Sequence, residues 1–236
     1  MSAFAGLVER LADLLQPLFH ASAAAAAIVL FTALVRLLVH PLSRAAARGQ
    51  QARAKLQPRI AELRKKHAKN PEKLRKAVLE LHTEEQVSPL SGLLPGFLQL
   101  PAFFLLYHLF SSTTLGGESN SLLTHTLWGA PLGDRWADAL GHGGLFGAAG
   151  LVYLGLFALV AAVATYNYRR AKRMTDASPV PAGGGEDVPG LGAVTKALPF
   201  LSFFTLVTVA VVPLAAALYM VTSTTWSAVE RTVLYR

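Results

Sequence analysis

Four long stretches of this 236-residue chain contain no carboxylate: between Leu14 and Ala61, Gln86 and Gly117, Ala139 and Thr175, and Val188 and Val229. Each holds an apolar run long enough to cross a bilayer, whose hydrocarbon core of about 30 Å is spanned by roughly 20 apolar residues in a helix. Lipid offers no partner for a peptide group, so a crossing segment must satisfy its own backbone, and a helix does so. Only 15% of the residues are charged, against about 25% in an average soluble domain. The fold class expected is therefore an all-α integral membrane protein. The chain has no cysteine, which excludes disulfides, thiolate metal sites and a cysteine nucleophile.

The apolar runs and the polar segments between them divide the chain. Residues 1–20 read as an amphipathic helix, with Leu7, Leu11, Leu14, Leu15 and Leu18 on one face and Glu9, Arg10 and Asp13 on the other. Such a helix lies in the membrane interface. A first span covers 21–41, with Pro41 at its end. Residues 42–89 carry twelve Lys or Arg against five Glu, a balance of +7. Here Asn70-Pro71 separates two helical patterns, since Pro restricts the residue before it and suits a helix start. Leu56, Ile60 and Leu63 on one side of that turn, and Leu74, Val78 and Leu81 on the other, form a narrow apolar seam, so the segment is expected to be a helical hairpin.

A second span, 90–112, contains Pro95 and Pro101, which should kink it. Residues 113–143 read as a Gly-rich loop with a single Arg135, and 144–168 as a third span. A linker, 169–193, begins with Arg169, Arg170, Lys172 and Arg173 and contains Gly183, Gly184 and Gly185. The apolar run that follows is too long for one crossing, and Pro213 sits near its middle. It reads as a fourth span, 194–211, a tight turn, and a fifth span, 213–230, ahead of a tail at 231–236. Positive residues concentrate in 42–89 and 169–193, so those segments are expected in the cytoplasm, with the N-terminus outside and the C-terminus inside.

Arg36 is the charge within the first span, about four residues from its cytoplasmic end. A cation at mid-bilayer costs about 2.5–3.5 kcal/mol on insertion scales. Two readings compete: the side chain snorkels to the headgroups, or it faces a hydrated space between helices. Thr32, one turn away, Gln99 in the second span, Thr208 in the fourth, and Thr222, Ser223, Thr225 and Trp226 in the fifth are the candidate polar lining of such a space. Ser and Thr in membrane helices also bond their own backbone, which is the plainer account of each. Seven histidines show no metal-ligand spacing, and no hydrolase or metalloprotease motif occurs. No catalytic residue, cofactor or metal is therefore expected. A small-molecule channel or transporter would call for an ion-binding carboxylate in the spans, and none is there. A membrane-anchored scaffold would use only the basic hairpin.

The residues at this point resemble the YidC/Oxa/Alb family of membrane protein insertases over nearly the whole chain. Thr32-Ala-Leu-Val-Arg36 followed by Pro41-Leu42 is similar to the family's groove arginine and span exit. Gln57-Pro58-Arg59-Ile60-Ala-Glu62-Leu63 and Asn70-Pro71-Glu72-Lys73-Leu74 resemble its cytoplasmic hairpin. Ser88-Pro89-Leu90-Ser-Gly92-Leu-Leu-Pro95, continuing through Gln99-Leu-Pro101 to Tyr107, looks like its second span, and Pro213 with Leu218-Tyr219 and Thr222-Ser223 like its last. Ser88 replaces a usual Asn, and Met220 stands where Trp is common.

The resemblance implies five transmembrane helices around a hydrophilic groove open to the cytoplasm and to lipid. It implies an insertase of the bacterial cell membrane that moves hydrophobic segments of newly made proteins into the bilayer without nucleotide hydrolysis. Nascent membrane proteins and lipid are the implied partners, with the ribosome and the Sec translocon as further ones, and no specific nucleic-acid sequence is implied.

Overall fold

The computed structural model describes residues 2–87, 94–115, 117–177 and 198–234. The chain is mostly helical. Among the described residues, two stretches are long and apolar enough to cross a membrane, Phe4–Lys66 and Ala148–Arg173.

Helix α1 (Ser2–Phe19) leads through a 3-10 turn, His20–Ser22, into α2 (Ala23–Lys66). His20 takes a left-handed φ of 48°, which reverses the chain so that α1 folds back onto α2. Its apolar residues then serve two purposes. Val8 and Ala12 are buried in one cluster with Ala24, Ala27 and Ile28, while Leu7, Leu14 and Leu18 stay exposed. Those three leucines leave an apolar stripe on the surface of α1.

At 44 residues, α2 extends roughly 66 Å, twice what the hydrocarbon core requires. The helix does not stop at Pro41, where the first span was expected to end, nor at Pro58. A proline removes one N–H and frees the carbonyl four residues earlier. Both prolines are exposed, and so are Leu37 and Ala54, which carry those carbonyls. The expected span and the first arm of the hairpin are thus one continuous rod. The rod ends at His67. Asn70 then caps α3 (Pro71–Glu84) by accepting a hydrogen bond from the Lys73 N–H at 3.0 Å, with Pro71 at the first helical position. Leu56 and Ile60 meet Leu81, flanked by Leu63 and Val78, and Arg59 pairs with Glu85 beside them. These are the residues of the expected seam except Leu74, which is not in the cluster, and Val87 joins it instead.

Helix α4 (Leu94–Ser111) precedes a segment that differs from the expected loop. Residues 113–143 form a folded cap: two minimal hairpins, Thr114–Leu115 with Glu118–Ser119 and Thr126–Leu127 with Ala130–Pro131, a 3-10 turn Ser121–Thr124, and helix α5 (Trp136–Gly141). Trp128 and Gly129 both have positive φ, the geometry of a two-residue hairpin turn. Asn120 is buried, and its amide donates to the carbonyls of Leu109 and Ser112, both at 2.9 Å. It thereby satisfies carbonyls that the end of α4 leaves without helical partners.

Helix α6 (Ala148–Ala177) carries the third apolar run and continues through Arg169–Arg173. The basic run is helical, where a linker was expected from residue 169. The glycines at 183–185 lie outside the described residues. A 3-10 turn, Leu198–Phe203, leads into α7 (Phe204–Val211), Val212 is extended, and α8 (Leu214–Leu234) follows. The break therefore falls at Pro213, as anticipated, although among the described residues of the fourth region α-helix begins at Phe204.

Helix α8 forms the centre of the bundle. Leu214, Ala215, Ala216 and Ala217 are fully buried, small side chains that allow neighbouring backbones close. A buried helix start needs acceptors for its orphan N–H groups. The cap supplies them: Leu214 N–H donates to the Asp134 carbonyl at 2.8 Å and Ala215 N–H to the Leu132 carbonyl at 2.9 Å. The Tyr153 hydroxyl donates to the same Asp134 carbonyl at 2.7 Å. Tyr219 packs between Phe103 and Phe110, with ring centroids 6.1 and 6.0 Å away.

Candidate functional site

Helix periodicity places residues three or four apart on one face. On α2 this aligns Arg36 with His40, and on α8 it aligns Ser223, Ser227 and Glu230. The two faces meet. Arg36 Nε donates to Ser223 Oγ at 3.1 Å, and its Nη2 donates to the Ser223 carbonyl at 2.9 Å and to Ser227 Oγ at 2.9 Å. One turn further, His40 Nδ1 lies 2.6 Å from Glu230 Oε1. Ser227 Oγ in turn donates to the Ser223 carbonyl at 3.0 Å. Arg36 is half-buried, and these three oxygens hold it against α8 without carrying charge of their own. The result is a polar seam between α2 and α8.

Of the residues singled out in the sequence, Arg36 and Ser223 are brought into direct contact. Thr32 is fully buried, but its hydroxyl donates to its own helix at Ile28 O, 2.7 Å. Thr222 donates to Leu218 O at 2.8 Å and Thr208 to Phe204 O at 3.1 Å. All three follow the plainer account, a bond back to the preceding turn. Thr225 Oγ1 is buried with no hydrogen-bond partner, a polar atom available to a water or a ligand group. Trp226 is half-buried. Gln99 belongs to α4, but its side chain lies outside the described residues.

In the hairpin, Gln57, Pro58 and Glu62 are exposed on the side of α2 turned away from the seam, while Asn70 and Pro71 build the turn. From Arg36 to Gln57 is about 30 Å along α2, so the hairpin and the polar seam are separate places. Among the described residues no group of His, Asp or Glu is arranged to hold a metal.

Sequence reasoning passed over His40, Ser227 and Glu230. Their signal was helical spacing: His40 four residues after Arg36, Ser227 four after Ser223, and Glu230 three after that. What it lacked was any indication that these two stripes face each other.

Residues 15–236 match the family described as 60Kd inner membrane protein. The chain belongs to this family. The curated relatives carry the printed name membrane protein insertase YidC. That of Clostridium perfringens (strain 13 / Type A) is 43% identical over 111 residues, covering 47% of this chain and 43% of the relative. That of Anaeromyxobacter sp. (strain Fw109-5) is 42% identical over 81 residues, covering 34% of this chain and 15% of the relative. That of Polynucleobacter asymbioticus (strain DSM 18221 / CIP 109841 / QLW-P1DMWA-1) is 36% identical over 101 residues, covering 42% and 18%. The chain thus spans less than half the length of each of these relatives. As a 60Kd inner membrane protein family member it is a helical membrane protein.

Proposed function

We propose that this protein is a membrane protein insertase, accepting hydrophobic segments of newly made proteins from the cytoplasm and releasing them into lipid. The observation that carries the reading is the Arg36 guanidinium, held against α8 by Ser223 and Ser227 within the first apolar run. A cation fixed at that depth attracts an acidic segment of a substrate, and a polar seam shortens the apolar path that segment crosses. Coulomb attraction strengthens as the surroundings become less water-like. Burial of the substrate's apolar segment in lipid supplies the driving force, and no nucleotide hydrolysis enters.

In this reading five helices surround a hydrophilic groove, crossing at 21–41, 90–112, 144–168, 194–211 and 213–230. The N-terminus is outside and the C-terminus in the cytoplasm of a bacterial cell, because the basic segments 42–89 and 169–173 belong on the cytoplasmic side. Thr32, Gln99, Thr208, Thr222, Ser223, Thr225 and Trp226 line the groove with Arg36. The hairpin built on Asn70 and Pro71 receives the nascent chain, with the ribosome and the Sec translocon as partners to be tested.

The test is insertion into liposomes of a single-span substrate with an acidic N-terminal tail. Arg36→Ala should slow it about tenfold or more, the effect of one charge-assisted contact of about 1.5–3 kcal/mol. Unchanged insertion by Arg36→Ala would sink this role for the cation.

A further inference from the structure

Below the seam, the same face of α2 continues toward the cytoplasm. Pro41, Arg44, Ala47, Arg48 and Gln51 of α2, with Val233 and Leu234 of α8, wall a cavity of about 460 Å³. Its upper end adjoins the His40–Glu230 contact, and at its lower end Gln51 Nε2 donates to the Leu234 carbonyl at 3.0 Å. Arg44 and Arg48 are both exposed. The basic positions 36, 40, 44 and 48 thus recur at every fourth residue, and each borders the same partner helix. Arg36 meets Ser223 and Ser227, His40 meets Glu230, and Arg44 and Arg48 face Val233 and Leu234. A helix rises 1.5 Å per residue, so the row climbs in steps of about 6 Å and covers roughly 18 Å.

The geometry points to the Arg44–Arg48 cavity as the receiving site for an acidic segment of an incoming polypeptide, two steps before that segment reaches Arg36. The inference rests on the role proposed for Arg36 and adds where the substrate is first held. An extended polypeptide advances at most about 3.3–3.6 Å per residue, so some six residues bridge the whole row. A peptide with two or three spaced carboxylates can therefore keep Arg44 while gaining Arg36, about 12 Å further along the helix. An anionic lipid headgroup could fill only the lowest pair and would leave the upper rungs unused, which favours the peptide. The Glu230 carboxylate stands between the two arginine sites. Its contact with His40 occupies it, so an acidic segment meets a paired carboxylate there in place of a bare one.

The test uses the full-length protein in two liposome compositions, zwitterionic lipid alone and zwitterionic with anionic lipid. Two single-span substrates are compared, one with an acidic tail and one with its Asp and Glu replaced by Asn and Gln. The double variant Arg44→Gln/Arg48→Gln should slow insertion of the acidic-tailed substrate about fivefold in both lipids, as expected for two exposed cations of modest individual strength. The neutral-tailed substrate should slow far less, and Arg44→Lys/Arg48→Lys should restore the rate by keeping the charge. Equal slowing of both tails, slowing only where anionic lipid is present, or no slowing would each overturn the receiving site. The middle result would assign the cavity to a lipid headgroup. Failure of the wild-type protein to insert either substrate would instead overturn the insertase reading, and a wild type that depends on Arg36 beside an unaffected double variant would overturn the receiving site alone.

Discussion

Removing the Ser223 hydroxyl tests whether the Arg36 seam is an energetic unit. The Oγ atom accepts from both Nε and Nη2 of Arg36. Hydrogen bonds to a charged group contribute about 1.5–3 kcal/mol net, whereas interhelical hydrogen bonds in membranes average about 0.6 and reach about 1.7 kcal/mol. Arg36 is half-buried and keeps two further acceptors, the Ser223 carbonyl and Ser227 Oγ. One shared hydroxyl should then account for about 1–2 kcal/mol of coupling between α2 and α8. The measurement is equilibrium unfolding in bicelles of the wild type, Ser223→Ala, Arg36→Ala and the double variant. Ser223→Ala should cost about 1–2 kcal/mol when Arg36 is present and little when Arg36 is already alanine. Independent sites add to within about 0.3–0.5 kcal/mol, so additivity at that level would refute the seam as a unit.

Two further outcomes follow from the 113–143 segment and the start of α6. Asn120→Ala leaves the Leu109 and Ser112 carbonyls without their side-chain donor and the Leu122 N–H without its acceptor, and should lower stability by about 2–3 kcal/mol, read as thermal unfolding in detergent together with faster proteolysis within 113–143. Gly150→Ala would drive its Cβ into the backbone carbonyls of Gly144 and Leu145 at the start of α6, costing about 1–3 kcal/mol, while Gly155→Ala, which meets nothing within 4 Å, should be neutral or stabilising by up to about 1 kcal/mol in the same melt.

Three parts of the fold were legible in the order of residues because local chemistry settles them. The Asn70-Pro71 turn needs only a side-chain acceptor and a proline without an N–H, and it stands where it was read. The hairpin seam needs only apolar residues at helical spacing on both sides of that turn. The break at Pro213 needs only the missing donor of proline and the bias it places on Val212, which is extended. The 113–143 segment was not legible. Its glycines suggest a loop, yet Leu122 and Leu132 are fully buried, and its Leu132 and Asp134 carbonyls accept from the start of α8. Those acceptors are required by a helix some eighty residues away in sequence, which no local pattern reveals. Pro41 shows a related limit: a proline favours a helix end, yet α2 runs on through it, with Pro41 and the Leu37 that carries the freed carbonyl both exposed.

From sequence alone, the four acid-free stretches determine that this chain belongs in a membrane, and the placement of its cations predicts an orientation there. They do so because transfer into hydrocarbon is additive over residues and needs no knowledge of neighbours. Which residues Arg36 touches was decided only in three dimensions. Residues 21–41 are equally compatible with a side chain that snorkels and with one that faces a hydrated space between helices, and its bonds to α8 turn on which face of that helix, 187 residues further on, comes to rest against α2. A contact of that kind depends on the rotation and register of two packed helices, and those are properties of the assembled bundle.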